Sequence, residues 1–256
     1  MTIEYTGKGD PARSLALLWR TSEKPSRKGK PDLSVKRIVG AAIEVADTEG
    51  LAALSMRRVA ERLGVGTMSL YTYVPGKPEL LDVMLDTVYG ETGQGEEAGE
   101  GWRAALAEIA RDNWALYLRH PWLLQVATSR PVLGPNAIAK YERELRAIDG
   151  IGLTDVEMDS VLTLITGFVH GTARGAVESR QAESATGLSD EQWWAAHAPF
   201  LGLIADPERF PVAARVGQTA GQEHGAAYAP EHAFEFGLQR VLDGIEMLVA
   251  GRLTAP

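Results

Sequence analysis

The fold is decided by residues 54–74, LSMRRVAERLGVGTMSLYTYV. The first half predicts a helix, because Ser55 can cap its N-terminus by accepting a hydrogen bond from a free backbone N–H. Leu54 and Val59 flank this cap at the spacing of a hydrophobic staple, in which two apolar side chains fix how the chain enters a helix. The helix therefore carries its own start signal.

A tight turn follows this helix. Gly64 suits the left-handed position after a helical C-terminus, and Val65 can pack back onto the helix that it follows. A second short helix, residues 67–74, begins almost at once after Gly66. Two short helices joined by a glycine-containing turn are typical of a helix-turn-helix.

The same start signal occurs one helix earlier. Ser34 can act as an N-cap, with Leu33 and Ile38 at staple spacing, and Gly50 is a natural helix terminator. We therefore expect a three-helix head within residues 32–89, completed by a linking helix from Lys77 or Pro78 to about Tyr89.

The second helix of the turn has side chains suited to reading DNA. An α-helix fits the B-DNA major groove and presents its N-terminal residues to the base edges. Small hydroxyl side chains can bond to bases or phosphates, a methionine can touch a thymine methyl group, and tyrosines, arginines and lysines can contact phosphates. For Tyr71, burial in the core is an equally open alternative. The predicted DNA-binding residues are Arg57, Thr67, Met68, Ser69, Tyr71, Thr72, Tyr73 and Lys77.

The charge is distributed unevenly along the chain. The net charge is −8, but residues 1–89 hold thirteen basic and eleven acidic residues, whereas residues 90–256 hold thirteen and twenty-three. This asymmetry indicates a nucleic-acid-facing N-terminal part and an acidic body. Residues 1–31 are predicted to be a flexible basic arm, and its residues 20–30 could reach the DNA backbone or the minor groove.

The body, residues 102–256, is expected to be helical, because no stretch shows convincing strand alternation. Residues 181–190 and 215–230 are predicted to be loops. Apolar faces within residues 161–169 and 234–249 have helical spacing, and these faces could form either a monomer core or a dimer interface. The predicted fold is all-α, with a helix-turn-helix head and a helical body.

The head resembles the TetR family of transcriptional regulators over about fifty residues without a gap. This resemblance implies a three-helix head, a linking fourth helix, recognition by residues 67–74, and phosphate contacts from Tyr71, Tyr73 and Lys77. The sequence departs from the family at Gly66, where many members have a capping serine. The residues that carry the resemblance are 38–42, 49–51, 54–65, 69–74 and 77–81.

The body resembles, more loosely, the C-terminal domain of relatives of tetracycline repressor, at residues 117–122, 129–131 and 154–177. This resemblance implies a homodimer with a four-helix interface, and a small-molecule inducer that releases the repressor from DNA. Through the two-fold symmetry of the dimer, it also implies a palindromic double-stranded DNA operator. Tetracycline repressor binds a magnesium–drug chelate through a histidine shortly before the segment matching residues 129–131. Residues 123–128 contain no histidine, so the resemblance does not extend to that inducer.

An inducer pocket would be mostly apolar and aromatic, with a few polar anchors. We therefore expect an apolar or aromatic inducer, although each candidate side chain could instead belong to the core. No zinc-ligand spacing is present, so neither a metal site nor a cofactor is predicted. The predicted ligand-binding residues are Trp114, Tyr117, Phe168, His170, Arg174 and Trp194.

Other classes of protein fit the sequence less well. The chain has no cysteine, which excludes a disulfide framework. Residues 1–5 include an acid and no apolar run follows them, and no apolar run is long enough to span a bilayer, so we expect neither a secretory signal nor a membrane span. We expect a cytoplasmic protein. The sequence contains no P-loop, no nucleophile elbow and no strand-borne G-x-G-x-x-G, so no motif argues for an enzyme. An all-α enzyme whose chemistry no motif reveals is the remaining enzyme alternative. A DNA-binding activator and a ligand-independent regulator remain open.

Overall fold

The computed structural model describes residues 3–20, 33–93, 101–127, 130–204 and 206–253. Over these residues the fold is helical, as the sequence predicts, apart from two strands of two residues each. The strands are β1 (Glu4–Tyr5) and β2 (Val126–Ala127). The helices are α1 (Pro11–Leu18), α2 (Val35–Glu49), α3 (Met56–Leu63), α4 (Thr67–Leu70), α5 (Lys77–Tyr89), α6 (Trp102–Arg119), α7 (Pro135–Arg146), α8 (Asp155–Thr186), α9 (Asp190–Ile204), α10 (Pro211–His224) and α11 (Pro230–Leu253).

The head consists of α2 to α5, and its predicted caps are confirmed. Ser34 accepts a hydrogen bond from the backbone N–H of Arg37 at 3.3 Å, and Ser55 accepts one from Arg58 at 3.1 Å. These bonds satisfy backbone donors that the first helical turn leaves free. The apolar faces of the four helices then close over one core, in which Ile38 is fully buried.

The turn between α3 and α4 has the predicted left-handed glycine. Gly64 has φ 67° and ψ 33°, and its N–H donates to the carbonyl of Glu61 at 3.2 Å. The N–H of Val65 donates to the carbonyl of Ala60 at 3.0 Å. This pair of bonds is the Schellman motif, which satisfies the last carbonyls of a helix while reversing the chain. The turn thereby positions α4 across α3.

The body is built around α6, α8 and α11, which pack on one another. Their shared core contains Leu106, Ile165 and Leu238, all buried. The 3₁₀ turn Pro121–Gln125 follows α6 and contributes Trp122 and Leu123 to the core of the head. Head and body are therefore joined by continuous apolar packing.

The prediction of a flexible arm over residues 1–31 is wrong for residues 3–20. β1 pairs in parallel with β2, and α1 packs against α5. Leu18 is buried in the core of the head, and the indole N–H of Trp19 donates to the carbonyl of Leu133 at 2.9 Å. These contacts are long-range in sequence, so local patterning could not reveal them. Residues 21–31, which include most of the predicted DNA-reaching stretch, lie outside the described residues.

Three other predicted boundaries are also wrong. The helix expected over residues 67–74 ends at Leu70, and the chain then forms a turn in which Tyr73 N–H donates to the carbonyl of Leu70 at 2.9 Å. α8 continues to Thr186, because good helix formers occupy its end and no breaker intervenes before Gly187. α10 covers the first part of the predicted loop 215–230, where Gly221 allows a close approach of the Trp194 ring.

Candidate DNA-binding surface and ligand cavity

The three residues at the start of the recognition helix α4 differ in how far they are exposed. Met68 is 78% exposed and Ser69 is exposed, whereas Thr67 is half-buried. Leu70 closes the helix from the inside and is fully buried. A methionine as exposed as Met68 has no partner in the core of the head, which fits a side chain that contacts DNA.

The turn after α4 carries the next candidates. Tyr71 is 45% exposed and Thr72 is exposed, so both are accessible to a phosphate. Tyr73 is half-buried and packs against the core of the head. Of the two roles left open for Tyr71, its exposure favours contact with a DNA phosphate over burial in the core.

The two basic candidates flank this surface. Arg57 lies in the first turn of α3, is exposed, and pairs with Glu61 at 2.9 Å. Lys77 is the first residue of α5, and its Nζ lies 2.9 Å from Oε1 of Glu4. The structure therefore brings all eight predicted DNA-binding residues onto α3, α4, the following turn and the start of α5. Their contacts with DNA remain predictions.

Two other arginines of α3 brace the head internally. Arg58 makes a two-point ion pair with Glu49, with its Nη2 2.7 Å from the carboxylate, and Arg62 pairs with Glu44. Hydrogen bonds from these guanidinium groups hold the pKa of Glu49 and the pKa of Glu44 below their usual values. These charge-assisted pairs join α2 to α3, and α4 packs on α3.

A cavity of about 610 Å³ opens between α6, α7, α8 and β2. Both apolar and polar side chains line it, and several of them come from one face of α8. A cavity of this size is typical of a small-molecule site. The lining residues are Ile3, Tyr117, Leu124, Val126, Ala127, Tyr141, Glu144, Asp159, Leu162, Thr163, Thr166, Gly167, His170 and Arg174.

Three of the predicted ligand-binding residues lie in this cavity. The rings of Tyr117 and His170 meet edge to face, with centroids 5.6 Å apart. Arg174 donates from Nη2 to the carbonyl of Leu124 at 3.2 Å, which ties α8 to the turn at the cavity wall. Burial, helped by the positive charge of Arg174, lowers the pKa of His170, so its imidazole is neutral at pH 7.

The other three predicted residues pack elsewhere. The ring centroids of Trp114 and Phe234 are 4.3 Å apart within the body core, and Phe168 stacks on Phe234 with centroids 6.0 Å apart. Trp194 packs against Gly221 of α10. Aromatic character alone could not separate these core positions from the cavity positions.

Most of the lining residues of α8 were missed by the sequence analysis. Asp159, Thr163 and Thr166 share a helical face with His170. Following the helical face of His170 towards the N-terminus, in steps of three or four residues, leads to these positions. The contributions of Ile3 and Tyr141 depend on long-range packing and carry no local signal.

A buried carboxylate adds polarity to the cavity. Glu144 is buried, accepts a hydrogen bond from Nδ2 of Asn113 at 3.1 Å, and pairs with Lys140. Burial, with a smaller contribution from the Glu144 charge, raises the pKa of Tyr117 to about 12. The Tyr117 phenol is therefore neutral at pH 7 and can donate a hydrogen bond to a ligand.

A second concavity of about 400 Å³ lies on the outer side of α8 and α11. It is mostly apolar, and Leu164 and Leu248 on its surface are 52% and 39% exposed. The neighbouring Val161 and Ile245 are buried in the body core. The apolar faces left open by the sequence thus divide into an inner core stripe and an outer exposed stripe.

The described residues also bear on metal binding and membrane insertion. Within the described residues, no cluster of three or more His, Asp or Glu side chains could hold a metal ion. Among the helices of the same residues, none has both the length and the apolar character needed to cross a bilayer.

Comparisons with known proteins agree with this architecture. Residues 38–84 match the family described as "Bacterial regulatory proteins, tetR family". Residues 94–249 match the family described as "Tetracyclin repressor-like, C-terminal domain". The two matches fall on the head and on the body. They make the chain a DNA-binding transcriptional regulator and not an enzyme.

Individual relatives span nearly the whole chain. HTH-type transcriptional repressor DrrR1 of Streptomyces coeruleorubidus is 51% identical over 253 residues, covering 98% of this chain and 91% of the relative. The class A tetracycline repressor from transposon 1721 of Escherichia coli is 26% identical over 216 residues, covering 83% and 90%. The crystal structure of Streptomyces coelicolor ActR in complex with actinorhodin superimposes with a TM-score of 0.68 at 29% identity, covering 84% and 96%. The chain belongs to the TetR family of bacterial transcriptional regulators.

Proposed function

We propose that this protein is a ligand-responsive transcriptional repressor that binds a palindromic operator as a homodimer and leaves it when a small molecule enters the cavity. One observation carries the proposal. The 3₁₀ turn Pro121–Gln125 supplies Leu124 to the cavity wall and Trp122 to the core of the head. A ligand that moves this turn therefore acts on both parts of the molecule.

The chemistry of the cavity supports an aromatic ligand with polar substituents. The rings of Tyr117, Tyr141 and His170 can pack against aromatic groups, and Thr163, Thr166 and Arg174 can bind polar ones. The relative DrrR1 is named as a repressor, and ActR has been crystallised with actinorhodin. These relatives support repression and ligand binding in this chain.

Dimerisation is supported by the outer stripe of α8 and α11. Leu164 and Leu248 expose apolar surface beside Gly244. The space next to Gly244 is open, because a Cβ added there would meet no other atom within 4 Å. A second copy related by a two-fold axis would bury this surface in a four-helix interface. The two recognition helices would then contact the two halves of a palindrome.

Release from DNA would follow from a change in the separation of the two heads. α5 lies between α1 and α7 and packs against α2, so a displacement of the cavity wall can reach the head through it. A ligand shifts the population only by its difference in affinity between the two states. Crystal structures with and without ligand that have identical head separation would contradict this route.

The proposal is tested with DNA duplexes selected in vitro from a random library by the full-length protein. We expect a palindromic consensus, and we expect actinorhodin, as the first probe in a panel of aromatic compounds, to dissociate the complex in a fluorescence anisotropy assay. Selection of no consensus would contradict the DNA-binding role. DNA binding that no compound affects would favour a ligand-independent regulator.

A cavity-filling variant localises the response. Gly167 lines the cavity, and a Cβ there would meet no other atom within 4 Å. We expect Gly167→Leu to bind the operator normally and to lose release by the probe, whereas Gly171→Ala, one turn away on α8, keeps both properties. An activator would be distinguished by reporter transcription that falls when the regulator is deleted.

A further inference from the structure

The N-terminal strand lies at the rim of the ligand cavity. Ile3 lines the cavity while remaining half exposed. β1 then runs parallel to β2, with Glu4 opposite Val126 and Tyr5 opposite Ala127. Both residues of β2 are cavity-lining residues. Occupancy of the cavity and docking of β1 therefore act on the same two residues of β2.

The same strand reaches the DNA-binding head. Oε1 of Glu4 lies 2.9 Å from Nζ of Lys77, and both side chains are about one-third exposed. Three residues after Glu4, the N–H of Gly7 donates to Oδ1 of the buried Asp82 at 3.2 Å. Lys77 and Asp82 both belong to α5, so β1 bridges the cavity rim and the linking helix.

The Glu4–Lys77 ion pair involves a lysine that we expect to contact DNA. Lys77 is the first residue of α5 and lies beside the turn that carries Tyr71 and Tyr73. A lysine attracts a phosphate through its full positive charge. The carboxylate of Glu4 cancels that charge at short range and would repel an approaching phosphate. Docked β1 and bound DNA therefore compete for Lys77.

We propose that β1 is an autoinhibitory latch, which weakens the hold of Lys77 on operator phosphate while it is docked at the rim of the cavity. The latch deepens the proposed function and rests on it. Undocking breaks the pairing of two strand residues, the hydrogen bond from the buried Thr6 hydroxyl to the carbonyl of Arg130, and the bond from Gly7 to Asp82. α1 packs against α5 independently of β1, with Leu18 in the core of the head, so the undocked strand stays tethered nearby.

A reversible crosslink tests the latch. The chain contains no cysteine, so Tyr5→Cys combined with Ala127→Cys introduces a single pair at neighbouring strand positions, where the separation suits a disulfide. The oxidised and reduced forms of this one variant are compared on the selected operator duplex. Thiol titration measures crosslinking, and circular dichroism compares the folds. Failure of the pair to crosslink would contradict docking of β1 on β2.

We expect the oxidised protein to bind the operator about fivefold more weakly than the reduced protein, which is the range of a partly exposed ion pair. We also expect the slope of log affinity against log salt to fall by about two per dimer, because one phosphate contact is lost from each subunit. A crosslink that merely distorts the fold would lower affinity without this change in slope. Equal affinity and slope in the two redox forms would overturn the latch.

A third substitution tests whether the locked strand weakens DNA binding through the charge of Glu4. With Glu4→Gln added to the cysteine pair, the locked strand carries no negative charge, and oxidation should no longer change affinity or slope. Glu208→Gln, an exposed carboxylate before α10, is the matched control and should preserve the redox effect. If oxidation weakened operator binding equally with Glu4 and with Gln at position 4, a role for the Glu4–Lys77 ion pair would be overturned. A reduced protein that selects no duplex would instead contradict the proposed function itself.

Discussion

Nδ1 of His120 in the body lies 2.8 Å from Oδ1 of Asp47 in the head. The same carboxylate oxygen accepts a hydrogen bond from the indole N–H of Trp122 at 2.8 Å, and the other ring nitrogen of His120 lies 3.2 Å from Glu91. The His120 residue is only 4% exposed. These polar bonds join α2 to the end of α6, so they fix the orientation of the head on the body.

Replacing this histidine should destabilise the protein. His120→Ala removes the imidazole that bridges Asp47 and Glu91, so each carboxylate loses one of its two partners, and it opens a gap beside Trp122. We expect a loss of about 1–3 kcal/mol in the free energy of unfolding, measured by urea denaturation. His197→Ala, on the exposed surface of α9, should change it by less than about 0.5 kcal/mol. Similar losses for both variants would mean that the Asp47–His120 link contributes little.

Two glycine-to-alanine substitutions should change the free energy of unfolding in opposite directions. Gly64 has φ 67° in the turn of the head, and a Cβ there would meet no other atom within 4 Å, so Gly64→Ala introduces backbone strain alone. We expect a loss of about 1–2 kcal/mol, because side chains disfavour the left-handed region. Gly171→Ala within α8 should stabilise by up to about 1 kcal/mol through helix propensity. Thermal unfolding measures both, and a stabilising Gly64→Ala would contradict the turn geometry.

Met68 should read thymine through its methyl group. We expect operators with uracil in place of the contacted thymine to bind more weakly by about 0.8 kcal/mol per methyl group lost. Met68→Ala should remove this difference while leaving the free energy of unfolding unchanged, because the side chain is exposed. Tyr71→Phe, which removes a phosphate contact, should weaken both duplexes equally. Uracil sensitivity that survives Met68→Ala would assign thymine recognition to another residue.

The pKa of His170 should make stability depend on pH. Burial lowers this pKa in the folded protein below the usual value, so the unfolded chain binds more protons as pH falls through about 6.5. Stability should therefore decrease on acidification below about pH 7, with His170 contributing to the slope. His170→Gln should flatten the slope between about pH 5 and 7 in urea denaturation, whereas His197→Gln should not. An unchanged slope in His170→Gln would exclude this contribution.

The helix-turn-helix could be predicted almost completely because its signals are local. Ser34 and Ser55 cap their helices through bonds to residues three positions away, and Gly64 needs only its own backbone conformation. The end of α8 was also predictable in principle, since residues 181–186 contain good helix formers and Gly187 is the first breaker. The polar composition of residues 181–190 instead favours a loop there.

The ligand cavity could be predicted only in part. Trp114 and Tyr117 lie one turn apart on α6, yet Trp114 packs on Phe234 and Tyr117 faces the cavity. Both are aromatic residues on an amphipathic helix, so the sequence places them equally well in a core or in a pocket. The difference depends on how α8 and α11 cross α6, which is set by packing over the whole body.

By itself, the sequence determined the all-α class, the caps, the recognition turn and the family, because each depends on interactions among residues close along the chain. Tertiary structure alone decided that residues 3–20 dock on both the head and the body and that Glu4 meets Lys77. It also decided which aromatic side chains face the ligand cavity. Contacts between distant residues depend on the shape of surfaces assembled from several helices, and that shape leaves no periodic pattern in a short stretch of sequence.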